Sequence, residues 1–214
     1  MDRIYTFNDL ENIQKFVRAL KHKAKKLNIK LEITSDKFVN ISDNIKCGGY
    51  FESKNKYSQG TLATATGMEI NKWLPVLVHE SCHMDQWNED NIFWKRFMKS
   101  DSQLIDRWLE GEEVDENKVY TAIDISRELE LDCEKRSVLK IIEFNLPINI
   151  KEYIKKANCY VFFYNHIKKT RRWSIPGNSP YSRAEIYKEV SDDWYLSYEV
   201  IPRHIEKLFF KYKV

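Results

Sequence analysis

The chain has 214 residues and a formal net charge of +3, from 35 basic and 32 acidic side chains. That length is a prior for one domain, and 43% hydrophobic with 14% aromatic residues can bury a sizeable core, which excludes a disordered chain. Six glycines and five prolines exclude collagen-like and linker-like readings; with mean hydropathy −0.59 and no run of apolar residues long enough, no transmembrane helix is expected.

The opening segment, MDRIYTFNDLENIQKF, lacks the apolar stretch of a signal peptide. Cys47, Cys82, Cys133 and Cys159 are widely spaced and form no C-x-x-C pair. Neither a zinc ribbon nor a disulfide framework is suggested, and reduced thiols in a cytosol are expected. Each cysteine reads as a small buried apolar residue. The near-balance of charge hides a segregation. Residues 15–30 hold seven bases and no acid, residues 80–134 hold 16 acids against 6 bases, and residues 151–172 hold seven bases against one acid.

Asn8 and Glu11 have the form of an N-cap and its capping-box partner. Ile13, Phe16, Val17, Leu20, Ala24 and Leu27 follow at three- and four-residue steps, predicting a helix over 9–27. Strands are predicted at 31–34, 38–41, 47–56 and 61–66, as a small, mainly antiparallel sheet. The pair Gly48-Gly49 marks a bulge or a close backbone approach. A helix follows from Trp73 to Trp87, with Pro75 in its first turn. Further helices are predicted over about 92–109, 117–144, 150–171 and 184–190, with a last one after Pro202. WSIPGNSPYS (173–182) reads as a loop. The fold class is α+β, and 1–214 reads as a single domain: a core over about 30–142 and a helical extension over about 150–214.

Residues 79–83 read His-Glu-Ser-Cys-His, an H-E-x-x-H motif. On a helix, His79 and His83 share one face and can present nitrogens to one metal ion. Zn²⁺ accepts imidazole and lowers the pKa of a bound water to about 7, and Glu80 is placed to take the proton. A catalytic zinc needs a third protein ligand. The acidic segment 126–136 offers two registers, Glu128/Asp132 and Glu130/Glu134. A helical wheel that includes Leu129, Leu139 and Ile142 in its apolar face puts Glu128 and Asp132 near the centre, with Glu130, Glu134, Arg127 and Ser137 toward solvent. Glu128 is therefore read as the third ligand and Asp132 as the carboxylate that orients a histidine.

These residues resemble the gluzincin clan of zinc metallopeptidases, with HESCH (79–83) as its first motif and ELELD (128–132) as its second, E-x-x-x-D. The order of elements is similar to the minimal gluzincins and to the ImmA/IrrE-type peptidases. The string ELDCEKR and the stretch ANCYVFFYNHIKKTRRW resemble proteins of tailed bacteriophages. The resemblance implies zinc held by His79, His83 and Glu128, Glu80 as general base, a peptide or protein substrate, and a cytoplasmic setting, that of the host if the chain is phage-encoded. Two departures stand out: Leu131 replaces the ImmA-type alanine, and the spacer between the motifs is long and acidic.

Amide hydrolysis also needs a donor for the developing oxyanion. Tyr164 is the choice among Tyr160, Tyr164, His166 and His204, with His166 on the polar face of its helix. The sheet edge near 47–66 suits an extended peptide. Residues 155–173 suggest nucleic acid, with Lys168, Lys169, Arg171 and Arg172 on phosphates, against the preferred reading of a solvated basic face. The alternative to a peptidase is a phage-encoded, zinc-containing binding protein without peptidase activity.

Overall fold

In the computed structural model, residues 4–42, 45–55, 58–101, 103–175 and 177–214 are described. The predicted strand over 47–56 thus ends on Lys56, and the loop over 173–182 includes Pro176, both outside the described residues. The architecture is α+β, and the chain divides into two compact units: Met1–Asn91 with Lys135–Ile148, and Ile92–Glu134 with Asn149–Val214.

The first unit begins with α1 (Phe7–Leu27). Its N-cap is Thr6 rather than Asn8: the Thr6 hydroxyl accepts from the Asp9 amide at 3.1 Å, and the Asp9 carboxylate accepts from the Thr6 amide at 2.9 Å. Thr6-x-x-Asp9 and Asn8-x-x-Glu11 have the same form, and the hydroxyl two residues earlier wins. Ile13, Phe16, Leu20 and Ala24 form the buried stripe that the spacing predicts. Asn28 closes the helix in the left-handed conformation at φ 56°.

Five short strands follow: β1 (Ile29–Thr34), β2 (Val39–Ser42), β3 (Ile45–Cys47), β4 (Gly49–Glu52) and β5 (Gly60–Ala65). The expected single strand over 47–56 is broken at Gly48. β2 and β3 form their own antiparallel pair, and the main sheet has the order β1-β5-β4. β4 runs antiparallel to β5, and β1 pairs parallel with β5 from Ile29/Gly60 to Thr34/Ala65, so the strand pairing is mainly antiparallel, as expected, with one parallel pairing. The intervening strands return the chain before β5 starts, and a crossover of that kind makes a parallel neighbour. β5 is central, and Leu62, Ala63, Thr64 and Ala65 are fully buried.

Helix α2 (Ile70–Asn88) carries the H-E-x-x-H motif. It starts earlier than predicted, which puts Pro75 inside the helix rather than in its first turn. α2 lies against β4 and β5. Gly49 makes this approach feasible. A Cβ there would stand 2.7 Å from the Ala63 carbonyl oxygen and the Thr64 hydroxyl, and 2.8 Å from a Val76 methyl. Gly49→Ala is expected to cost about 1–3 kcal/mol by overpacking, read as a lower urea midpoint with an unchanged slope.

The second unit holds α3 (Ile92–Lys99), α4 (Gln103–Leu109), α6 (Ile150–Thr170), α7 (Ala184–Tyr187) and α8 (Arg203–Tyr212). Helix α5 (Glu116–Glu143) is shared, passing into the first unit at Lys135. The predicted helix over 92–109 is two helices, and the predicted loop contains a 3-10 turn at Pro180–Ser182. α6 is the core element: Phe162, Phe163, Ile167 and Cys159 pack with Trp108, Ile123, Ile186 and Phe209. Its buried amides are satisfied. Asn158 donates to the Ser191 and Asp193 carbonyls at 2.9 and 3.0 Å, and Asn165 donates to the Tyr198 carbonyl at 2.6 Å.

The basic residues at the end of α6 are engaged within this unit. Lys168 meets Asp124 at 2.6 Å, Lys169 pairs with Glu206, and Arg171 donates to the Trp108 and Glu112 carbonyls at 2.6 and 2.7 Å. Among the described residues no helix is long and apolar enough to cross a membrane.

Candidate metal centre

One α-helical turn separates His79 from His83, and their Nε2 atoms stand 3.1 Å apart. The rings meet edge to face, with centroids 4.7 Å apart. His83 is buried, and its Nδ1 lies 2.8 Å from Oε1 of the fully buried Gln86. The amide oxygen can only accept, so Nδ1 of His83 carries the proton. Nε2 of His83 then accepts from Nε2 of His79. Two imidazole nitrogens bound tetrahedrally to one zinc ion would be about 3.3 Å apart. The observed separation is close to that, so the pair fits an ion. Gln86→Leu keeps the volume and removes the acceptor; it is expected to weaken metal affinity about 10–100-fold, measured by zinc titration against a chelating dye.

The sequence places the third donor on α5. The amino-acid wheel is only partly realised there. Leu139 and Ile142, counted in the apolar face, are exposed, whereas Ser126, Arg127, Glu134 and Ser137 are buried. Glu134, expected in solvent, accepts a hydrogen bond from the Tyr153 hydroxyl. Arg127 donates to Asn165 and pairs with Asp124. Apolar residues lie all around α5, so a wheel assigns it no single inner face.

Contacts within the first unit define which side of α5 meets α2. The Ser137 hydroxyl lies 3.5 Å from Cys82 Sγ. Lys140 Nζ donates to the Ser81 hydroxyl at 2.7 Å and to Asp85 at 2.8 Å. Arg136 donates to Glu89 at 2.7 Å. Cys133 is one turn before Ser137 on that side. Cys133 is fully buried, as expected of a cysteine that belongs to no C-x-x-C pair.

The carboxylate of Glu128, read as the third ligand, is paired with Arg96 of α3. Asp132 is half-buried and Glu130 has a fully buried carboxylate oxygen.

Glu80 is half-buried. It lies close enough to Cys47 to act on it: burial pushes the Cys47 thiol up, and the Glu80 charge adds to the shift. The general-base candidate thus lies by the β3–β4 junction, where Cys47 donates to the Gly49 carbonyl at 3.1 Å.

Tyr164 is buried in the second unit, with its hydroxyl 3.1 Å from that of Tyr160. Burial holds both phenols well above their ordinary pKa. His166, expected on a polar face, is 1% exposed; its Nε2 donates to the Val214 carbonyl at 3.1 Å. His204 is exposed. No protein-family model, curated protein or solved structure matches the chain, so the gluzincin likeness rests on its motifs and on this histidine pair.

Proposed function

We propose that the chain is a metal-dependent hydrolase of gluzincin type, with zinc as its ion and peptide bonds as its substrate. The observation that carries this reading is the His79/His83 pair, held in one tautomer by Gln86, with Glu80 on the adjoining turn. When bound, the ion supplies a Lewis acid that acidifies water and polarises a carbonyl oxygen. The chain's own groups do the rest. His79 and His83 bring their Nε2 atoms to one point. Glu80 takes the proton of the attacking water and returns it to the departing amine. β4 is an outer strand of its sheet, next to the junction that Glu80 faces. An extended peptide pairing with that edge would run past the general base.

The decisive experiment is hydrolysis of a peptide library by zinc-reconstituted protein, with Glu80→Gln as control. Cleavage that persists in the variant counts against Glu80 as the base; no cleavage by either counts against the peptidase.

The second reading is a zinc-containing binding protein without peptidase activity. That reading expects partner binding to survive Glu80→Gln. The engagement of Lys168, Lys169 and Arg171 leaves little of the basic stretch for phosphate.

A further inference from the structure

We infer that the cleft between the end of α1 and strand β1 binds a small organic phosphate, with Lys21 and Lys25 on the phosphate and the organic body on an aliphatic floor. The cleft lies wholly within the first unit and shares no residue with the histidine pair, so the inference stands apart from peptidase activity. Its volume is about 400 Å³, in the range of small-molecule sites. Asn28 ends α1 in the left-handed conformation and Ile29 starts β1 at once, so helix and strand meet at a sharp corner. Ala24 and Ile29, 1% and 4% exposed, line the cleft together with Leu31. This aliphatic surface rewards a ligand with an apolar part, which bare phosphate lacks.

The charge of the cleft has one sign. Lys21 and Lys25 stand one helical turn apart on the same face of α1. Other lysines of the basic segment have acid partners: Lys15 pairs with Glu11, Lys23 with Asp85, and Lys30 with Glu32. Among the described residues, Lys21 and Lys25 have none. Alternation along β1 turns Ile29 and Leu31 to the cleft and sends Glu32 to the opposite side with Lys30, so no described carboxylate lines it. The Gln59 amide donates to the Asn28 side-chain oxygen at 3.1 Å, and the Asn28 NH₂ group keeps its own hydrogens to donate. The Asn28 backbone amide caps the Ala24 and Lys25 carbonyls, which blunts the negative end of the helix. Two ammonium groups match a phosphate dianion, and lysine binds phosphate as a point charge. No aromatic side chain is among the described lining residues, so the base stacking that holds single-stranded nucleic acid is missing.

The test is a titration of the full chain with naphthyl phosphate, followed by amide chemical shifts in NMR. Saturable shifts are expected over residues 21–31 and at Gln59, with a dissociation constant below about 1 mM. Inorganic phosphate and naphthol each carry half of the recognised chemistry and are expected to bind at least about tenfold more weakly. The double variant Lys21→Gln, Lys25→Gln is expected to weaken naphthyl phosphate by about tenfold or more. Lys30→Gln, on the far side of β1, should leave it unchanged. Both cleft lysines are exposed, so the double variant should keep the wild-type thermal midpoint.

Shifts that do not saturate, or that fall elsewhere on the chain, overturn the inference. Binding that survives the double variant overturns it too. Inorganic phosphate bound as tightly as naphthyl phosphate reveals a bare pair of cations and removes the organic ligand. Oligothymidylate that moves the same amides at lower concentration than naphthyl phosphate assigns the face to nucleic acid instead. None of these outcomes bears on zinc binding or peptide hydrolysis, which have their own readouts.

Discussion

Glu80→Gln is expected to lower peptide hydrolysis about 10²–10⁴-fold while leaving stoichiometric zinc in place. The magnitude is that of a positioned general base, about 2.7–5.4 kcal/mol of barrier. The amide is isosteric and cannot take a proton. Glu80 is not part of the His79/His83 pair, so the metal should stay. The separation of the two readouts is what gives the variant its value. A loss of zinc in Glu80→Gln would recast Glu80 as a structural neighbour of the site. An unchanged rate would move the proton transfer elsewhere. The loss should appear in kcat rather than in KM, because the interaction removed is made in the transition state.

The parts of this fold that local spacing decides are the parts a reading of the chain recovers. α1 follows from Ile13, Phe16, Leu20 and Ala24, all buried as their spacing demands. α6 follows from its Asn149 cap and its apolar run, and α8 from the apolar spacing after Pro202. What fails depends on the third dimension. The parallel pairing of β1 with β5 is settled by a crossover, which no alternation within either strand reveals. The strand is broken at Gly48, and next to it Gly49 lets Val76 of α2 come close, a packing event from outside the sheet.

The metal site divides the same way. The histidine pair and its base occupy five consecutive residues, and helical geometry alone puts the imidazoles together. α5 is different, because the wheel has little to work with there. Arg127, Glu134 and Ser137 are buried because Asn165, Tyr153 and Cys82 satisfy them, while Leu139 and Ile142 stay exposed. Hydropathy ranks those five residues in the wrong order. His166 misleads similarly: it is polar by type, but the carbonyl of Val214 far along the chain lets it be buried.

Lys140→Met is expected to destabilise the first unit by about 3 kcal/mol, measured by urea unfolding at neutral pH. Lys140 joins α5 to α2 through Ser81 and Asp85, and the side chains of Lys140 and Asp85 are each only 14% exposed. Removing one partner of a buried pair costs about 3–5 kcal/mol because the other charge stays behind. The lower end applies here, since Lys23 also reaches Asp85 at 2.8 Å.

The pH dependence has a definite sign. Burial alone lowers the Lys140 pKa, but the neighbouring Cys82 and Asp85 outweigh it, and the net direction is up from 10.5. A group whose pKa rises on folding binds its proton more tightly in the folded state. Its contribution is complete below 10.5 and falls as the pH climbs through the higher folded value. The gap between wild type and Lys140→Met should therefore be constant from neutral pH to about 10 and narrow above it. A gap that already narrows between pH 6 and 8, to take about that window, would assign the effect to a histidine. His79 and His83 are on the same helix as Asp85, so the same titration repeated with zinc present separates the two. Zinc holds the imidazoles neutral and removes any histidine contribution, whereas the alkaline loss from Lys140 remains.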